Sequence, residues 1–242
     1  MGAPYKRILL KISGETLCSP GGYGIDTKEL ELICTQVIKA VELGVEVALV
    51  IGAGNMLRGA QFSKQGFGRA QSDYMGMMAT LVNGLALQDK LEQMDCETRL
   101  MSAIPVSAVA ETFIRRKAIR HLEKKRVVIL AAGTGNPGFT TDTAAAIRAF
   151  AIEADVLFKA TTVNGIYDKD PNIHSDAAKF DKIAYMDVIR KQLKVMDMAA
   201  FSVCMEHNMP IVIFNYRDPE NLKRAVAGES VGTFVGGEDA NN

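Results

Sequence analysis

Short apolar runs recur along the chain, each giving way to small or polar residues, and longer stretches between them carry apolar positions three and four apart. Residues 127–130, Val-Val-Ile-Leu, are short, β-branched and apolar on both faces, which suits a parallel strand covered on both sides. The run passes into Gly133-Thr134-Gly135-Asn136-Pro137-Gly138 and then into Thr141-Asp142-Thr143-Ala-Ala-Ala-Ile, a helix start with an N-cap candidate. The same pattern predicts strands over 5–12, 45–51, 99–104, 156–159, 210–214 and 232–235. An amphipathic helix is expected after Asp26, with Glu29 at the third helical position as in a capping box. Its stripe is Leu30, Ile33, Cys34, Val37, Ile38 and Val41, and Gly44 ends it. Further helices are expected over 72–94, 112–125, 142–153, 185–193 and 196–207, and one more from Asp218-Pro219 in the N-cap and N1 places. Residues 60–70 read as a glycine-rich loop, 172–184 as an excursion and 236–242 as a frayed tail. Strand–helix alternation without a linker or repeat predicts a single α/β domain over 1–242, with a mostly parallel sheet and helices on both faces.

Composition narrows the function classes. The 242 residues carry 28 Lys plus Arg against 28 Asp plus Glu, so no basic excess points to nucleic acid. No apolar stretch approaches the ~18 residues that span a bilayer. The first residues run straight into a strand, with no apolar signal segment, so a cytoplasmic location is expected. Cys18, Cys34, Cys96 and Cys204 are widely spaced, as small buried hydrophobes of a reducing compartment would be. The histidines, His121, His174 and His207, lie away from every glycine loop. No metal-ligand set is expected from the chain itself.

Several predicted strands end in phosphate-competent turns: Ser13-Gly14, Gly52-Ala53-Gly54 and 133–138. Backbone N–H groups and a positive helix end suit an anion; equally, glycines can serve only to turn a βα loop. Gly133, Gly135 and Gly138 also satisfy G-x-G-x-x-G. However, Pro137 sits inside the motif and the strand after it ends at Lys159 rather than an acid, which disfavours a dinucleotide site. Lys11 lies at the carboxyl end of the first strand, where open α/β sheets bind ligands, although an edge-strand charge would look the same. Residues 160–171 carry Asn164, Tyr167, Asp168 and Asp170, which could hold a base and ribose or form a polar hairpin. The methionines of 72–94 suit core or subunit interface better than a ligand box. The P-loop and protein-kinase motifs are absent. A phosphate acceptor is largely dianionic near pH 7, its second pKa being ~6, so transfer to it needs no general base. Lysine, arginine, glycine amides and an acid, without histidine, would suffice.

Taken together, Lys11-Ile-Ser-Gly-Glu, Val50-Ile-Gly-Ala-Gly-Asn-Met-Leu-Arg-Gly, Asp73-Tyr-Met-Gly-Met-Met-Ala-Thr, Ala132-Gly-Thr-Gly-Asn-Pro-Gly-Phe-Thr-Thr-Asp, Lys159-Ala-Thr-Thr-Val-Asn-Gly-Ile-Tyr and Lys194-Val-Met-Asp-Met-Ala-Ala-Phe resemble the bacterial-type UMP kinases of the amino-acid kinase superfamily, in order from about Tyr5 to Val235. The resemblance implies a three-layer αβα sandwich with the amino-acid kinase-like fold. It implies transfer of the γ-phosphoryl of ATP to UMP with Mg²⁺, giving UDP and ADP in de novo pyrimidine nucleotide synthesis. It also implies a homohexamer, with GTP activation and UTP inhibition in many members. By position, Lys11, Ser13, Gly14, Gly54 and Arg58 would serve the ATP phosphates, and Thr161, Asn164, Tyr167 and Asp170 the adenosine. Ala53, Asp73 and the run Thr134, Gly135, Asn136, Pro137, Gly138, Phe139, Thr140, Thr141 would bind UMP. Lys11, Arg58, Asp142 and Lys159 would be the catalytic set, with Mg²⁺ held mainly through ATP phosphates. The N-terminal part would serve mainly UMP and oligomer contacts, and the C-terminal part mainly ATP.

Two positions depart from the pattern or carry no role. Ala53 stands where glycine is expected, and its methyl is tolerable with a negative φ and a ligand on the backbone N–H. Asp197 matches a motif without an assigned role. Segment 19–24, Arg99 and Arg126 are the effector candidates. Two other readings compete: a relative that phosphorylates a carboxylate or carbamate, and a nucleotide-binding storage or regulatory protein that has lost turnover.

Overall fold

The computed structural model describes residues 3–57, 66–193 and 195–237. The expectations for Arg58, Lys194 and most of both the 60–70 loop and the 236–242 tail fall outside them, while Gly236, expected in the tail, ends a strand. Among the described residues, eleven strands are β1 Arg7–Ile12, β2 Glu46–Ile51, β3 Thr98–Ser102, β4 Glu111–Thr112, β5 Val127–Ala131, β6 Val156–Thr161, β7 Ile166–Tyr167, β8 Lys179–Phe180, β9 Lys182–Ala184, β10 Ile211–Asn215 and β11 Thr233–Gly236. Seven helices among the described residues are α1 Thr27–Glu42, α2 Arg69–Gln93, α3 Arg115–Glu123, α4 Thr141–Ala151, α5 Tyr185–Arg190, α6 Met198–Glu206 and α7 Asn221–Val226.

One nine-stranded sheet runs β4-β3-β5-β2-β1-β6-β10-β11-β9. All its neighbours are parallel except β10 and β11. The central strands are buried along their whole length, as their double-sided apolar runs require. Alternation divides them. Ile8, Leu49, Ile129 and Phe158 pack with Val37, Leu87 and Leu222 of α1, α2 and α7. Leu9, Val50, Leu130 and Leu157 pack with Leu122, Ala145, Val188 and Phe201 of α3, α4, α5 and α6. Two helical layers over a central, mostly parallel sheet give the expected three-layer sandwich.

Several local expectations change. β7 and β8 pair antiparallel as a separate hairpin, within the segments read as a loop and an excursion. The excursion also returns β9 to the main sheet beside β11. Asp26 does cap α1, accepting from the Lys28 N–H at 2.8 Å, but the capping box does not form. The Asp26 N–H goes to the Leu17 carbonyl at 2.7 Å, which docks the preceding loop instead of leaving that donor for Glu29. α7 begins at Asn221, because Asp218 and Pro219 lie in a turn in which the Asp218 carboxylate accepts from the Glu220 N–H.

Candidate functional site

The strand alternation decides which polar side chains meet at the carboxyl edge of the sheet. On β1, Leu10 and Ile12 face the α1/α2 layer and leave Lys11 to the other side. On β6, Phe158 and Ala160 do the same and leave Lys159. The two strands are adjacent and parallel, with Lys11 opposite Lys159 in register. Two mostly buried ammonium groups therefore stand side by side. Asp142, in the first turn of α4, reaches between them, its Oδ1 2.6 Å from Lys11 Nζ and its Oδ2 2.6 Å from Lys159 Nζ. Lys159 Nζ also donates to the Val195 carbonyl.

Burial alone would raise the Asp142 carboxyl pKa, but Lys11 and then Lys159 outweigh it and hold the group below its ordinary value. Burial lowers the Lys159 pKa, opposed mainly by Asp142. One carboxylate between two lysines leaves an excess of positive charge at the edge. That excess suits a polyanion.

The first two glycine turns are pressed together beside this triad. Ser13-Gly14 opens a single 3₁₀ turn, Gly14–Leu17, and the Gly52 N–H donates to the Ile12 carbonyl at 2.9 Å. A Cβ on Gly14 would lie 2.5 Å from the Gly54 nitrogen and 2.7 Å from the Gly52 oxygen, so only glycine permits the approach. Ala53 is not in a positive-φ conformation, which meets the first of the two conditions its methyl sets.

The third glycine loop closes a cleft of about 310 Å³ against α2. Of the residues expected to bind the acceptor, Ala53, Asp73, Thr134, Phe139, Thr140 and Thr141 line it. Gly135, Asn136, Pro137 and Gly138 belong to the same loop without lining it. The Gly138 N–H is held by Asp73 Oδ2 at 2.8 Å, so Asp73 ties α2 to the loop. The helix end is less bare than the sequence suggests. The N-cap is Thr140, and its hydroxyl takes the N–H groups of Asp142 and Thr143 at 3.0 and 3.2 Å. Sequence reasoning missed Leu57, Ser72, Met77 and Thr80 in the lining. Met77 and Thr80 stand four and seven residues after Asp73, the helical spacing that could have found them.

A second cleft of about 380 Å³ holds Tyr167 and Asp170 of the expected adenosine set, with Leu193 and Val195 on its other wall. Thr161 ends β6 and its hydroxyl accepts from the Val163 N–H at 3.4 Å. Asn164 is turned elsewhere. It accepts from Asn215 at 3.0 Å and lines a small polar hollow with Lys179 and Arg224. The clefts are joined through the triad: Thr140 and Thr141 of the first run into Asp142, while Val195 of the second holds Lys159.

Asp197 now has a structural role. It caps α6 through the Ala200 N–H at 3.0 Å, accepts from Thr143 Oγ1 at 2.8 Å and accepts from the Thr140 hydroxyl. It therefore clamps the starts of α4 and α6 together. Arg99 and Arg126 share Glu97, at 2.9 and 2.8 Å, and Arg99 lines a separate surface cleft with Lys117. Segment 19–24 is a loop, mostly exposed, returned to the body by the Gly24 N–H on the Asn55 carbonyl at 2.9 Å. Among the described residues no group of three or more His, Cys, Asp or Glu is placed to hold a metal ion, and both Asp142 oxygens are engaged by lysines. A divalent ion takes oxygen ligands, and the Asp142 carboxylate already spends both of its oxygens on lysines. No helix among the described residues is long and apolar enough to cross a membrane.

Comparison with known proteins agrees with this geometry. The structure is similar to that of the UMP kinase from Bacillus anthracis, with 37% identity, a TM-score of 0.95 and 97% of each chain covered. It is similar to the UMP kinase from Ureaplasma parvum at 33% identity and TM-score 0.89, over 96% of this chain and 98% of that one. The uridylate kinase from Archaeoglobus fulgidus matches at 25% identity and TM-score 0.72, over 94% and 99%. Residues 6–215 match the amino acid kinase family, and with so much of the sheet and every lysine and glycine turn of the site inside that span, the chain belongs to that family.

Proposed function

We propose that this chain is a UMP kinase, transferring the γ-phosphoryl group of ATP to UMP to give ADP and UDP. The observation that carries the reading is the Lys11–Asp142–Lys159 triad joining two clefts at the carboxyl edge of the sheet. The likeness to UMP kinases over nearly the whole chain supports it.

In this reading the cleft beside Asp73 takes UMP, with the 134–141 loop around its phosphate and uracil. The cleft beside Tyr167 and Asp170 takes the adenosine of ATP. The Ser13-Gly14 and Gly54 amides and Lys11 hold the donor phosphates, joined by Arg58, which lies outside the described residues. Lys11 and Lys159 neutralise charge on the group in flight. Asp142 holds both ammoniums in place, in register across β1 and β6. The acceptor phosphate is already mostly ionised near neutral pH, so no base is required. Mg²⁺ on the nucleotide phosphates would supply further charge neutralisation. The division of labour follows, with acceptor and oligomer contacts mainly in the N-terminal part and ATP mainly in the C-terminal part of one domain. So do a role in pyrimidine nucleotide synthesis in the cytoplasm and a homohexameric assembly. GTP activation and UTP inhibition would act through the 19–24 loop, Arg99 and Arg126.

The test is ADP release from Mg-ATP with UMP, CMP, dTMP, a carboxylate or carbamate acceptor, or no acceptor, each with and without GTP or UTP. Turnover restricted to UMP is expected, raised by GTP and lowered by UTP. Turnover with a carboxylate or carbamate instead, or none with any acceptor in folded protein that binds nucleotide, would replace this reading with one of its two competitors.

A further inference from the structure

Helix α2 carries an asparagine, Asn83, that is wholly buried. A carboxamide there must find partners or destabilise the fold. It finds them in the second glycine loop: Asn83 Nδ2 donates to the Gly52 carbonyl at 2.8 Å and to Asn55 Oδ1 at 2.8 Å. Asn55 returns a bond from its Nδ2 to Asn83 Oδ1 at 3.0 Å and gives another to the Gly24 carbonyl at 2.8 Å. Asn55 is itself 1% exposed. The two carboxamides thus form a closed reciprocal pair that grips the loop from beneath.

The grip is aimed at the reaction centre. The loop atoms that Asn83 holds, the Gly52 oxygen and Asn55 Oδ1, lie 2.7 and 2.6 Å from where a Cβ of Gly14 would stand, and the Gly54 nitrogen lies at 2.5 Å. The spacing between the two glycine turns is therefore fixed by where Asn83 places the loop. One turn before Asn83 on the same helix, Thr80 Oγ1 accepts the Ala132 N–H at 2.8 Å and so anchors the start of the third glycine loop. Ala132 is held there at φ 61°, a conformation alanine adopts only under constraint. One helix face thus sets both loops.

We infer that Asn83 is a positioning residue for phosphoryl transfer, acting through Asn55 and the Gly52 carbonyl to hold the Gly54 amide against the Ser13-Gly14 turn. The inference rests on the kinase reading above. A sub-ångström displacement of a positioning group lowers the chemical rate more than substrate affinity, because only the transition state demands the full alignment.

The test compares Asn83→Leu, Asn55→Ala and the double variant with the wild type in steady-state turnover of UMP and ATP, alongside thermal unfolding. Both single variants are expected to lose kcat by about tenfold or more with KM for UMP within about threefold, and the double variant to lose no more than the worse single one. Non-additivity of that kind marks two residues acting as a unit, which a general loss of stability does not produce. Asn55→Ala removes a loop side chain rather than a helix anchor and keeps the test open if Asn83→Leu does not fold. Folded variants with kcat within about twofold of the wild type overturn the inference while leaving the kinase reading intact. A wild type that releases no ADP with UMP overturns the kinase reading first, and this one with it.

Discussion

At the scale of single residues, the site is a charge balance. Lys11 and Lys159 are nearly buried cations that share one carboxylate. Removing one partner of such a cluster leaves an uncompensated charge in a poorly solvated place, which costs about 3–5 kcal/mol. Asp142→Asn should therefore lower stability by that order in urea denaturation, besides lowering kcat. The pH dependence has a definite sign. The Asp142 carboxyl is held below its unfolded value, near 4 for a free aspartate, so its contribution is complete above about pH 4 and is lost as pH falls through the depressed folded value. The wild type should keep a stability advantage over Asp142→Asn at neutral pH that shrinks in acid. Parallel stability curves for the two proteins from pH 7 to pH 3 would show that the triad contributes nothing through ionisation. Lys11→Ala and Arg58→Ala should each cut kcat by orders of magnitude, as loss of a charge clamp does, and near-normal kcat in both would overturn the site.

At the scale of elements, small residues decide where chains can touch. Gly232 precedes β11, the strand that turns antiparallel against β10 and carries β9 at the sheet edge. Its φ is 73°, and a Cβ there would lie 1.9 Å from the Ile213 carbonyl oxygen. Gly232→Ala therefore combines a left-handed alanine with a backbone overlap that only strand separation relieves. A loss of about 3 kcal/mol or more is expected in chemical denaturation, well above the ~1 kcal/mol of the conformation alone. An unchanged midpoint would mean that β11 is not held where it is described. The same reliance on distant contacts explains which elements could be read from sequence. The long double-sided runs of β1, β2, β5, β6 and β10, and the stripe of α1, carry their own period. β4, β7, β8 and β9 span two or three residues, too few for any period, and exist only because a partner strand lies alongside. The capping box failed for a related reason, since a carbonyl from residue 17 reached the Asp26 N–H first.

At the scale of the whole molecule, the glycine turns and Lys11 could be picked out from motif and strand position, whereas the pairing of Lys11 with Lys159 could not. It depends on β1 and β6 being neighbours across nearly 150 residues of chain, which no local pattern states. The second wall of the Tyr167 cleft, from Leu193 and Val195, is hidden for the same reason. Assembly is legible only by halves. The methionine-rich stretch suits core or interface, and α2 has a buried and an exposed apolar side: Met77 and Leu87 are buried, while Tyr74, Met78 and Val82 stand exposed at helical spacing along the outer side. Apolar side chains aligned in this way on one helix seek a partner surface. If the proposed homohexamer forms through this stripe, Met78→Glu combined with Val82→Glu should break it, because two like charges would be buried opposite each other across any symmetric contact. Light scattering coupled to gel filtration should then give a hexamer for the wild type and a smaller species for the double variant. A double variant that remains hexameric would exclude α2 from the interface, and a wild type that elutes as a monomer would remove the assembly itself. The opposite face of this helix lines the proposed UMP cleft and holds two glycine loops, so disruption of the stripe should also lower kcat. Full activity in the smaller species would show that α2 is held by its own subunit and needs no partner to set the site.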